Sequence, residues 1–186
     1  MKKIVLTIIT VTAIAFTAMS QDFRKATWGM SPSQVKSSES SKLMNETSEL
    51  LVYQTTLAGF EAFAGYIFAD GKLTRTKYIM AVTHSNDNDY ISDYNRLNGL
   101  LKKKYGEPVE DEIYWNTDSS FKNDKSFWGH AISQGYLILY SIYRTSNTEI
   151  KIMLSAEDFN IVNEIQYSSI SAELKNLEEE KILKDF

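Results

Sequence analysis

The chain has 186 residues, 43% apolar and 24% charged, with two prolines and no cysteine. That is enough for one hydrophobic core, and it excludes disulfides, thiolate metal sites, a cysteine nucleophile and a lipid-bearing cysteine. Acids outnumber bases 24 to 20 and the longest basic run is Lys102–Lys104, so the positive footprint that nucleic-acid binding needs is missing.

Residues 1–20 have the layout of a cleaved secretory leader. Lys2 and Lys3 precede an uncharged run from Ile4 to Ala18, and Ala18-Met19-Ser20 puts small residues at the cleavage site. The apolar run is shorter than the roughly 20 residues a spanning helix needs. The expectation is a bacterial exported protein, periplasmic or secreted, whose mature chain begins at Gln21.

Met30-Ser31-Pro32-Ser33-Gln34-Val35 predicts a helix from Pro32 to about Ser40. Ser31 is the N-cap, Gln34 closes a capping box, and Met30 and Val35 form a hydrophobic staple. Strands are predicted over Leu50–Leu57, Phe60–Ala69 and Lys72–Val82, the last two joined by an Asp70-Gly71 hairpin turn. A second helix is predicted from about Asp89 to Tyr105 on the stripe Tyr90, Tyr94, Leu97, Leu101, Tyr105, with Gly106 as its cap. Gly99 lies inside it, and close packing against a strand is the expected reason.

Strands at Ile113–Asn116, Phe127–Ile132, Tyr136–Arg144, Glu149–Ser155 and Ile161–Tyr167 follow, the second and third paired as a hairpin. The tail from 169 to 186 is a charged helix with Glu178–Glu180 in a row. Its thin apolar stripe can bury little, so a solvated helix is expected. The pattern gives an α+β fold, an antiparallel sheet with helices on one face. Residues 21–168 form one domain, with helix-then-three-strand pseudo-repeats over about 31–82 and 89–155.

Phe23-Arg24-Lys25-Ala26-Thr27-Trp28-Gly29-Met30-Ser31, with the later turn Tyr105-Gly106-Glu107-Pro108, resembles the WGMS-like opening and YGxP turn of uncharacterised bacterial exported proteins. More distantly, the duplicated helix and sheet is similar to tandem modules such as β-lactamase inhibitor proteins and small outer-membrane assembly lipoproteins. That resemblance implies protein binding through a sheet face. It carries no functional residue over to this chain.

No nucleophile–base–orienter set is legible. Gly-x-Ser-x-Gly is absent, and a calcium loop starting at Asp87 would need Gly and Glu where Ser92 and Asn98 stand. The sequence therefore assigns no catalytic residue, no cofactor and no metal. Two function classes remain. One is a non-enzymatic exported binding or envelope-accessory module, monomeric or weakly associating, whose partner is a protein or envelope component. Its candidate sheet face is Tyr114, Trp115, Tyr136 and Tyr140, since tyrosine suits a half-wet surface. The alternative is a small hydrolase built on His84 with Asp87 and Asp89. Convergence of His84, His130 (placed on a strand) and Glu61 in one pocket would favour it.

Overall fold

The first helix starts where its cap dictates. In the computed structural model, which describes residues 21–183, α1 spans Pro32–Ser38. The Ser31 hydroxyl accepts from Gln34 N at 3.4 Å and Gln34 Oε1 accepts from Ser31 N at 2.8 Å, so the capping box closes. Four strands follow: β1 (Lys42–Glu46), β2 (Leu50–Leu57), β3 (Phe60–Ala69) and β4 (Lys72–Met80). The second half repeats the order with α2 (Asp87–Tyr105), β5 (Glu110–Trp115), β6 (Leu137–Arg144), β7 (Thr148–Glu157) and β8 (Asn160–Ser169). A short helix α3 (Trp128–Ser133) is inserted between β5 and β6, and α4 (Ala172–Leu183) follows β8.

All eight strands form one antiparallel sheet in the order β1-β2-β3-β4-β8-β7-β6-β5. The last strands of the two halves meet at its centre, where Arg75 to Ile79 run against Ser168 to Glu164. Each half has four strands rather than the three expected. β1 escapes sequence reading because every one of its residues is exposed, so it has no apolar alternation. The second half runs past residue 155 to the end of β8.

Alternation along the strands sorts the residues into two faces. Tyr66, Tyr78, Tyr167, Ile150, Ile152 and Leu154 point to the face that carries the core. Val35 of α1, Tyr94, Leu97 and Leu101 of α2, and Ala131 and Ile132 of α3 are buried in the same cluster. Burial of each such aliphatic side chain contributes about 1.5–3 kcal/mol. The tail helix α4 lies against β3 and β4. Its Glu178 meets Arg75, whose side chain alternates to the face opposite Thr74 and Thr76. Leu174 is buried, and Lys72–Glu173 and Lys181–Glu49 add ion pairs at 2.7 and 2.6 Å. The tail is therefore docked on the second face rather than standing free in solvent. Among the described residues no helix is long and apolar enough to cross a membrane.

The strand expected at Phe127–Ile132 is instead the helix α3, reached through two 3-10 turns, so His130 is helical. Alternation misleads here because six residues are too few to separate the two periods. Tertiary contact decides the matter. Gly129 sits against the start of α2, where a Cβ would lie 2.3 Å from Asp87 C and 2.5 Å from Asn88 N. Asn88 locks the contact: its Oδ1 accepts from Gly129 N at 2.7 Å and its Nδ2 donates to Ser126 O at 2.6 Å. Gly99 does the reverse of what was expected and faces open space. The N-cap of α2 is Asn86, leaving Asp87 and Asp89 in the first turn, where the helix dipole favours acids.

Candidate functional site

The segment before α1 is a strap that ties both halves together. Phe23 inserts among Tyr66, Tyr78 and Tyr167, with ring centroids 4.7–5.3 Å away. Arg24 holds the first half: it donates to Thr55 Oγ1 at 2.8 Å and Ser41 Oγ at 2.9 Å, and pairs with Glu39 at 2.8 Å. Trp28 holds the second half through its indole N–H, 2.9 Å from Thr148 Oγ1. Asp22 accepts from Trp28 N at 2.8 Å and from the Asn147 amide. The opening Phe-Arg-Lys-Ala-Thr-Trp-Gly-Met-Ser thus has a structural job at almost every position.

Glu39 is the electrostatic centre of this strap. Its side chain is 4% exposed, and burial alone would raise its pKa. Bonds from Tyr66 and Arg24 and from the Ser41 backbone outweigh that and hold it at about 2. Arg24 shifts the other way and is raised, because Glu39 and Tyr78 outweigh its burial. Both charges are therefore internally compensated.

Beside the strap lies a cleft of about 510 Å³. Tyr78, Ile150 and Tyr167 line it from β4, β7 and β8; Lys104 and Tyr105 come from the end of α2, Thr145 to Asn147 from the β6–β7 loop, and Gln21 to Arg24 from the strap. Burial pushes the Tyr167 hydroxyl well above its ordinary range, and Tyr105 beside it adds to the shift. With Arg24 held by Glu39, the Lys104 ammonium, 4.8 Å from the Tyr105 ring centroid, is the cation the cleft can offer a ligand. The lining can stack on a ligand, exchange hydrogen bonds with hydroxyl and amide groups, and place one positive charge at its mouth.

Comparison with protein-family models, with curated proteins and with solved structures finds no match for this chain. The chemistry of its clefts therefore rests on its own residues.

The four tyrosine and tryptophan candidates do not form one surface. Tyr114 and Tyr140 share the face away from the core, and Tyr114 is 54% exposed. A hydrogen bond to Glu110, with some desolvation, pushes the Tyr140 hydroxyl up to about 12. Trp115 turns to the other face and meets Trp128 at 6.0 Å, and Tyr136 sits in the turn before β6.

The residues proposed for hydrolysis do not converge either. His84 pairs with Asp93, Nε2 to Oδ2 2.6 Å, rather than with Asp87 or Asp89. Asp93 lies four residues beyond Asp89, about one helical turn further along α2, and sequence reading did not pair it with His84. Glu61 is exposed on the face away from the core, and His130 is exposed on α3 against Phe121. Among the described residues no three His, Asp or Glu side chains gather as a metal site requires.

A smaller cleft of about 310 Å³ lies between α2 and β5. A hydrogen-bonded chain runs along it: Tyr143 donates to Asn98 Oδ1, Asn98 to Ser141 at 2.9 Å, and Ser141 to Asp111 at 2.6 Å. Ser141 is fully buried and its proton is directed at a carboxylate, so the serine is a structural link.

Proposed function

We propose that this chain is an exported, non-catalytic binding module that takes a small polar ligand, neutral or singly anionic, in the cleft beside the strap. The observation that carries this reading is the lining itself. The strap, the end of α2 and strands of both halves bring three tyrosines and Lys104 around about 510 Å³ of space, the size of an ordinary ligand pocket. Export is supported by the leader-like residues 1–20, which lie outside the described residues. Cleavage after Ser20 would place the new N-terminus, Gln21, at the rim of the same cleft, where cyclisation of that glutamine with loss of ammonia would leave Lys104 as the cation. Tyrosine rings flanked by hydroxyl and amide groups suit sugars and short peptides, the small building blocks of a cell envelope.

The test is ligand-observed NMR on residues 21–186, against a panel of sugars, amino-sugar oligomers and dipeptides. A binder weakened about tenfold by Lys104→Ala or Tyr105→Phe, and unaffected by Tyr114→Ala, is the expected result. Binders indifferent to Lys104 and Tyr105, or none at millimolar concentration, would overturn the reading.

A further inference from the structure

We propose that Phe159, at the tip of the β7–β8 hairpin, is the anchor of a protein–protein contact whose partner offers an apolar pocket with a basic rim. Three hairpins of this sheet close through two residues that both have positive φ: Ala58–Gly59 (52° and 89°), Asp70–Gly71 (47° and 69°) and Asp158–Phe159 (48° and 65°). Such turns favour Asn or Asp followed by Gly, because glycine alone enters the left-handed region without a steric cost. Two of the three carry glycine at the second position, and the third places a phenylalanine there. For a bulky side chain that conformation is an outlier.

Among the described residues no contact offsets the strain. Phe159 is 72% exposed, the most exposed large apolar side chain among the described residues, and its ring joins no aromatic pair there. Glycine would relax the backbone and remove an apolar ring from water. The backbone term of the folded chain's own stability argues against Phe159, and burial of so exposed a ring gives little back, so its use lies in a contact outside the chain. A single ring on a convex tip fits a concave pocket, the geometry of an interface hot spot.

The flanking charges select the occupant. Glu157 and Asp158 are exposed beside the ring, and the chain as a whole carries net charge −4. An anionic lipid surface would repel this tip, and a second copy would bring the same acids to the contact. A protein pocket rimmed by lysine or arginine complements it. β6 runs antiparallel to β7, so the exposed Tyr136 just before β6 lies at the same end of the sheet as the β7–β8 turn. Tyr136 thus widens the apolar contact, which one ring of about 150–250 Å² cannot complete alone. This surface does not involve the cleft beside the strap, so either proposal can fail without the other.

The test uses the full chain, expressed in cells of the kind that make it. A photo-crosslinking phenylalanine analogue replaces Phe159 in one sample and Val109, exposed at the opposite end of the sheet, in another. The expected result is one protein captured from position 159 and not from 109, its cross-linked peptide containing apolar residues flanked by Lys or Arg. Excess wild-type chain should reduce that capture at least tenfold, and excess Phe159→Gly should not. The glycine variant should also melt about 2–4 °C higher than wild type, because its turn matches Asp70–Gly71. Adducts on lipid, on a second copy or on nothing would overturn the proposal. So would Phe159→Gly competing as well as wild type, or melting lower than it.

Discussion

The β3–β4 and β7–β8 hairpins hold equivalent places in the two halves, yet one closes with Asp70–Gly71 and the other with Asp158–Phe159. The backbone is the same; the residue that pays for it differs. The halves also differ in how they are held. The first half grips the strap through an ion pair, Arg24–Glu39, whose carboxylate is buried. The second grips it through hydrogen bonds with no ion pair, Trp28 to Thr148 and Asn147 to Asp22, and braces its long helix α2 with α3 at Gly129. A shared topology can thus be stabilised by electrostatics in one half and by close packing in the other.

The largest test of that contrast is Glu39→Gln. Glu39 is held at about 2 against an ordinary 4.5, so the ionised form is favoured in the folded chain. Its contribution is present above about pH 4.5 and is lost as pH falls towards 2; the full shift corresponds to about 3 kcal/mol. Urea denaturation should show the variant destabilised by that order at pH 7, with the gap to wild type closing as pH approaches 2. A gap independent of pH would show that the first half is not held electrostatically.

Gly129→Ala probes the other half. A Cβ at this position meets backbone atoms of Asp87 and Asn88, so α3 or α2 must shift, at a cost of about 2–3 kcal/mol. An unchanged urea midpoint would mean that the two helices do not touch. Ser31→Ala removes one cap bond of α1 and should cost about 1 kcal/mol in the same assay. The smallest effect has the opposite sign. Gly99 lies in mid-helix and faces open space, so Gly99→Ala should raise stability by up to about 1 kcal/mol. Together the two glycine variants separate a residue chosen for close approach from one with no contact to protect. Nothing in the structure explains why Gly99 is glycine.

Elements whose cause is local were legible without the fold. Ser31, Pro32 and Gln34 announce α1 within six residues, and Asp70-Gly71 announces its turn. The clean alternation of Ile150, Ile152 and Leu154 announces β7, because each of them is buried and their neighbours are not. β1 gave no such signal, being an edge strand with both faces wet. The candidate cleft was legible in part. Tyr105 belonged to the stripe read on α2, but its meeting with Tyr78 and Tyr167 depends on β4 and β8 pairing, Arg75–Ile79 against Glu164–Ser168.

The sequence by itself determined the α+β class, the capped first helix, the long second helix, the Asp70–Gly71 hairpin turn and the acidic balance, because propensity, periodicity and charge are properties of neighbouring residues. Only the tertiary structure decided that residues 128–133 coil rather than extend, since that rests on a missing Cβ at Gly129 facing α2. Only it placed Asp93, not Asp87, on His84, seated the tail helix on the second face of the sheet, and left Phe159 without a partner at a strained turn. Each of these depends on which distant surfaces come into contact, and no local window of sequence carries that information.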